Sequence, residues 1–430
     1  MSSETKLNDA GPALEIAPGS LAIGQRSLGD PSRLFPLTPV IVDGCPESSD
    51  EAMQYPLEID YDYDAVDRRL FEQAPGPGLD RWAPLLPPLA KGLSMGEGGT
   101  PLIAAEAFGR SIGITGDLYL KDESRNPTWS HKDRLNLCVV SAAIASGARG
   151  IAVASSGNHG AAAAAYAARA GLPCVVVTSG GMPPAFRDFL MSLGARVVVT
   201  PENRRWPVLR RIVNETGFMP ASNLTRFHTG NPYGPEGYKT IAYELFLQLD
   251  HTVPDHILAP TGYGEMLFGV WKGFQELKRL GLVDRLPKIY ACEPAIRGPL
   301  RRAVSSNAAA AEVSGPASIA VGIACAVSSY RGAMAIDNRA DRALPASEAG
   351  IATMRRRLAG RGLFQEYSGV AGLAAASEAA ENGLVLDGKV VAIMTSSGLK
   401  DVTPTGAEIY GEDTLDGLIE TLREGTVDGA

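Results

Sequence analysis

Cysteine is scarce: the chain carries Cys45, Cys138, Cys174, Cys292 and Cys325, an odd number at wide spacing. Neither a disulfide framework nor a four-cysteine metal site can be built from them, and a reducing cytoplasm fits that usage best. The five histidines show no metal-ligand spacing. Long apolar runs are missing too. The most apolar stretches, such as Gly160 to Ala168, are short and alanine-rich, far from the roughly 18 uncharged residues a membrane span needs. The N-terminus MSSETKLNDAG has no basic stretch followed by an apolar run, so no secretory signal is expected. Nor is there an excess of positive charge: 40 Lys and Arg stand against 48 Asp and Glu, a net charge of -8. That balance argues against nucleic acid or an anionic membrane as the main partner, and any anion site must be built locally.

What remains is ordinary globular material, 430 residues with 45% hydrophobic and 20% charged, long enough for two or three folding units. Residues 1–52 carry Gly, Pro, Ser and acidic residues without periodicity and read as a mobile or loosely docked arm. Over 53–79, Leu57, Ile59 and Tyr61 alternate as in a strand, and DAVDRRLFEQ reads as a helix with Asp64 as its cap. After Thr100 a short apolar run, a Gly/Ser/Asn turn and an alanine-rich helix recur. Strands are expected at 118–122, 150–155, 174–179, 196–200, 256–261, 288–293 and 389–395. Runs apolar on both faces imply α/β architecture, with mostly parallel sheets covered by helices. Ligands on such sheets bind beyond the carboxyl ends of the strands.

Four turns sit at those ends. KDESRNPTWSHKDR (Lys121 to Arg134) puts Lys132 at a helix start, where the macrodipole disfavours a cation and lowers the pKa of an amine. Such an amine can attack an aldehyde, although a surface lysine paired with Asp122, Glu123 or Asp133 would have the same sequence. ASSGNHG (Ala154 to Gly160) exposes backbone N–H groups as an anion cradle, with plain chain reversal as the alternative. Asn158 can donate to a ring hydroxyl, and His159 reads as a helix-start residue. APTGYGEM (Ala259 to Met266) reads as a phosphate cup built on Gly262 and Gly264. It has neither the GxGxxG spacing of a dinucleotide site nor a P-loop lysine. MTSSGLKD (Met394 to Asp401) offers Thr395 or a neighbouring hydroxyl to a ring nitrogen. An amine, a donor for a ring hydroxyl, a phosphate cup and a hydroxyl for a pyridine nitrogen are together what pyridoxal phosphate requires.

The order and wording of these motifs over roughly residues 45–405 resemble the fold-type II pyridoxal-phosphate enzymes, and the threonine synthases most closely. The resemblance rests on GEGGTPL (Gly96 to Leu102), NPTWSHKDR (Asn126 to Arg134), SSGN (Ser155 to Asn158), NPYGPEGYKT (Asn231 to Thr240), TGYGEM (Thr261 to Met266) and TSSGLKD (Thr395 to Asp401). It implies two domains with the cofactor in the cleft between them and Lys132 as the Schiff-base lysine. Asn158 would face the ring hydroxyl and Thr395 the pyridine nitrogen. Thr261, Gly262, Tyr263, Gly264, Glu265 and Met266 would hold the phosphate, and Ser155, Ser156, Gly157, Asn158 and His159 the substrate carboxylate. A hydroxyl facing the ring nitrogen, in place of a carboxylate, suits elimination and addition chemistry. The expected organisation is a large domain from 80–109 plus 238–405, a small mobile domain at 110–237 and a tail at 406–430. In that tail, Leu415, Leu418, Ile419 and Leu422 mark an amphipathic helix.

The sequence also departs from the family. Trp129 and His131 replace the Gly and Phe before the lysine, and are expected to reshape the substrate pocket. Glu265 would repel a second, substrate-borne phosphate. Gly44 to Val66 resembles the zinc-ribbon lead-in of some threonine synthases, but one thiolate, Cys45, cannot close a tetrahedral site, so no metal is expected. The implied reaction is a lyase step on O-phosphohomoserine or a related small amino acid. The alternatives are a dehydratase, ammonia-lyase or β-replacement enzyme acting on a serine-, threonine- or diaminopropionate-like substrate. A non-catalytic protein that binds the cofactor is the third reading. Expected partners are a small amino acid and a second copy in a cytoplasmic homodimer, with no nucleic acid and no membrane.

Overall fold

The computed structural model describes residues 14–182, 184–401 and 419–420, so the arm before 14 and all but two residues of the tail helix expected beyond 406 lie outside the described residues. Three sheets organise the rest. The largest runs in the order β12 (Ala343–Ala346), β11 (Lys288–Pro294), β10 (His256–Pro260), β13 (Lys389–Met394), β5 (Asp117–Asp122) and β4 (Leu102–Ala104). It is parallel except for β4. A four-stranded parallel sheet has the order β8 (Arg196–Val199), β7 (Cys174–Thr178), β6 (Ile151–Ala154) and β9 (Met219–Pro220). A small antiparallel sheet joins β2 (Leu34–Phe35), β1 (Ala22–Ser27) and β3 (Leu57–Tyr61). The helices are α1 (Glu106–Ser111), α2 (Lys132–Ala145), α3 (Asn158–Arg169), α4 (Pro184–Ser192), α5 (Arg205–Thr216), α6 (Gly234–Gln248), α7 (Glu265–Arg279), α8 (Pro299–Ser305), α9 (Tyr330–Ala335), α10 (Glu348–Ala359) and α11 (Tyr367–Glu381).

All seven expected strands form; most of their Val/Ile/Leu/Ala runs are buried on both faces between helices, while β8, at the edge of its sheet, keeps Arg196 and Val199 exposed. Three features differ from the sequence reading. First, residues 22–35, assigned to the arm, form β1 and β2. The residues of β1 that turn inward are polar: Gln25 and Ser27 are fully buried. The Gln25 amide donates to the carbonyls of Pro36 (2.6 Å) and Pro39 (2.9 Å) and accepts from the Ile41 N–H (2.9 Å). Buried polar groups satisfied in this way leave no apolar alternation to read. Second, DAVDRRLFEQ makes two 3-10 turns, Tyr63–Ala65 and Arg68–Phe71, in place of a helix. The Asp67 side chain accepts from Arg69 N and starts a new turn there, competing with helix continuation. Third, β5 pairs along its whole length with β13. The strand leading to Lys132 therefore belongs to the six-stranded sheet, not to the smaller unit begun at residue 110.

A buried carboxylate at the end of β11 sets a pH response. Glu293, 1% exposed, accepts from the N–H groups of Leu300 (3.0 Å) and Arg301 (2.8 Å), yet burial pushes its carboxyl up to about 7. The folded protein therefore holds a proton that the unfolded chain releases. That contribution is fully present below the ordinary glutamate range and is lost as pH rises through about 7. Between pH 5 and 7 the wild type is expected to lose stability relative to Glu293→Gln by at most ~1.4 kcal/mol per pH unit. Urea midpoints of both proteins at the two pH values check this, and parallel pH dependence would contradict it.

Candidate functional site

Lys132 is the first residue of α2, and the loop that delivers it is stitched to the end of β13. His131 N and Nδ1 both donate to the Thr395 carbonyl, at 3.0 and 3.1 Å. Ser396 Oγ and Ser397 N donate to the Trp129 carbonyl at 3.0 and 3.1 Å. Behind the loop, Arg134 is wholly buried and ion-paired to Glu123 (2.7 Å) and Glu244 (2.6 Å); Lys121 shares Glu244 (2.6 Å). Residues from the ends of β5, β13, β10 and β6 thereby line one cavity of about 480 Å³, within the range of small-molecule sites. Its lining includes Lys132, the Ser155–His159 turn, Thr261–Leu267, Glu366, Thr395 and Lys400.

The Lys132 Nζ donates to the Tyr238 hydroxyl at 2.8 Å. Burial pulls this amine below the ordinary lysine range, and the Glu265 carboxylate is the largest opposing charge. His131, His159 and His228 line the cavity, and burial holds all three imidazoles below the usual range, His159 down to about 3. With Nδ1 of His131 given to a carbonyl, its lone pair lies on Nε2.

Both Gly-rich turns present unused donors. At the start of α3 the amides of Ser156, Asn158 and His159 find no acceptor among the described residues, and no side chain caps the helix. The start of α7 is alike: the amides of Tyr263, Gly264, Glu265 and Met266 have no protein acceptor among those residues, and Gly264, which precedes the helix with φ +87°, offers no capping side chain. A Cβ at Gly264 would lie 2.8 Å from the Gly332 Cα, so only glycine brings that backbone into place. Converging N–H groups at an uncapped helix start suit a phosphate. An amine, a second anion cradle and the Thr395 hydroxyl stand around the same space. The donor set therefore fits pyridoxal phosphate. Glu265 is the discordant member: 7% exposed and without a hydrogen-bond donor among the described residues, it is raised by burial against the charges of Lys132 and Arg331.

The residues expected from sequence converge on this cavity, with one exception. Trp129 has φ +59°, is 48% exposed and packs on Phe189, ring centroids 5.9 Å apart. Its ring lies outside the cavity lining, because its carbonyl is pinned inward by Ser396 and Ser397. The residues not singled out beforehand are Tyr238, His228, Glu366 and Lys400. Tyr238 and Lys400 stand inside quoted motifs and could have been weighed there; Glu366 and His228 stand in none. Among the described residues no group of three or more His, Cys, Asp or Glu could hold a metal ion, and no helix is long and apolar enough to cross a membrane.

This architecture is that of a pyridoxal-phosphate enzyme of fold type II. The family model for pyridoxal-phosphate dependent enzymes matches residues 93–396, and the chain belongs to that family. Relatives include the threonine synthases of Methanosarcina acetivorans, 31% identical over 379 residues covering 86% of this chain and 91% of the relative, and of Mycobacterium bovis, 33% over 327 residues covering 75% and 85%. Among solved structures, a threonine deaminase from T.th. is 25% identical with a TM-score of 0.57, covering 71% of this chain and 94% of that one. The protein is a threonine synthase-like lyase that depends on pyridoxal 5'-phosphate.

Proposed function

We propose that the chain catalyses elimination followed by water addition on O-phosphohomoserine or a related small amino acid, with Lys132 as the covalent anchor of the cofactor. The convergence of the Lys132 amine, two uncapped helix starts and the Thr395 hydroxyl on one cavity carries this reading. Relatedness to threonine synthases over most of the chain supports it. The amides at 263–266 would hold the cofactor phosphate, Asn158 would face the ring hydroxyl, and Thr395 the ring nitrogen. When bound, pyridoxal phosphate supplies an electron sink for the substrate α-carbon. Lys132 would hold the cofactor, and its Nζ would take the proton from the substrate α-carbon, a role that suits an amine lowered by burial. Tyr238 OH receives and orients the freed amine. The cavity is read as the cleft between two domains, and the active form as a homodimer.

Glu265 favours a second reading. A carboxylate in the phosphate cup opposes a further phosphate on the substrate, which points to α,β-elimination or β-replacement on a hydroxy- or diamino acid; the likeness to a threonine deaminase is in keeping with it. Release of phosphate, ammonia and 2-oxo acid across a panel of O-phosphohomoserine, serine, threonine and diaminopropionate decides between them. Phosphate release with O-phosphohomoserine alone is the expected result. Ammonia release with the other three and none of phosphate would replace it with the second reading.

A further inference from the structure

Lys400 brings a second amine into the cavity. It ends the 3-10 turn Gly398–Lys400 that follows β13, and its Nζ donates to Asn158 Oδ1 at 2.7 Å. Glu366 fixes which way that amide faces: its two carboxylate oxygens accept from Asn158 Nδ2 at 3.0 and 2.9 Å. Turned over, the amide would set oxygen against carboxylate and NH2 against ammonium. Lys400 is therefore held at the first turn of α3, where the amides of Ser156, Asn158 and His159 have no acceptor among the described residues. Among those residues its ammonium makes this one hydrogen bond, so two of its three N–H donors have no acceptor there.

The neighbouring acids have donors of their own. Glu366 is engaged by Asn158, Asp133 accepts from Thr128 N (2.8 Å) and Oγ1 (2.6 Å), and the Asp401 carboxylate accepts from Tyr367 N (3.4 Å). Burial lowers the Lys400 amine to about 8, with Glu366 and Asp133 holding it up. No anion among the described residues touches the ammonium directly. The cofactor phosphate has its own cup at α7, so an anion at this place belongs to the substrate. We propose that Lys400 is a specificity-determining residue that joins the amides of the Ser155–His159 turn in binding the carboxylate of the amino-acid substrate. This rests on the reading of the cavity given under Proposed function.

The test titrates the holoenzyme with L-alanine and with L-alaninamide, which has no carboxylate, following the cofactor absorbance. The wild type is expected to bind alanine the more tightly. Lys400→Gln retains a donor for Asn158 but not the charge. It should weaken alanine about tenfold, the difference between a charged and a neutral hydrogen bond, and leave alaninamide unchanged. Lys400→Arg should recover most of the loss, and provides a second arm if the glutamine variant does not fold. Equal weakening of both probes would show that Lys400 only positions Asn158, and would overturn the proposal. So would no weakening, or a wild type indifferent to the carboxylate. A wild type without a cofactor band would sink the underlying reading of the cavity instead.

Discussion

Lys132→Ala is expected to lower turnover by about 10³-fold or more, the range of a positioned acid–base group, and to remove the visible absorbance of covalently held cofactor. The amine lines the cavity with both uncapped helix starts, and burial lowers it below the ordinary lysine range, the direction that favours a nucleophile and base. The other lysine that lines the cavity, Lys400, is hydrogen-bonded to Asn158. Alanine is the best helix former, so α2 should start as before and the cofactor-free variant should unfold at the temperature of the cofactor-free wild type. Turnover, absorbance and melting are the three readouts. A yellow, active variant would contradict the assignment.

Arg134→Met is expected to destabilise the protein by about 3–5 kcal/mol, as for any buried ion pair left with one partner. The guanidinium is fully buried and donates to both carboxylate oxygens of Glu123 and of Glu244. Its loss leaves Glu244 with Lys121 but strips Glu123 of its only ion-pair partner among the described residues. Because this cluster also ties the start of α2 to α6, the variant should bind cofactor more weakly. Urea denaturation measures the first effect and cofactor titration the second. A cost under about 1 kcal/mol, the value of an exposed pair, would show that the cluster is not the anchor it is taken to be.

Much of this arrangement was legible in the chain. Strands such as Cys174–Thr178 are continuous apolar runs, and a two-sided burial leaves that mark wherever it occurs. Lys132, the Ser155–His159 turn, Thr261–Met266 and Thr395 stood out through their combination: each alone has an ordinary structural reading, but together, in this order, they resemble the motifs of a known family. What escaped was set by distant partners. Gln25 is polar and buried, so β1 had no pattern. Ala343–Ala346 contains a proline and is an edge strand. The pairing of β5 with β13 joins segments far apart in the chain, and no local signal announces it. Glu366 escaped for the same reason: its role comes from Asn158, which lies 208 positions away. Trp129 was expected to enter the pocket from its place beside Lys132, but a backbone turn with φ +59° sends it elsewhere.

The central claim is that Lys132 carries the cofactor. Borohydride reduction of the holoenzyme followed by digestion and mass spectrometry fixes the cofactor to whichever amine holds it. The pyridoxyl group is expected on the peptide containing Lys132 and on no other. Finding it on Lys400, the second amine of the cavity, or on no lysine at all, would contradict the claim.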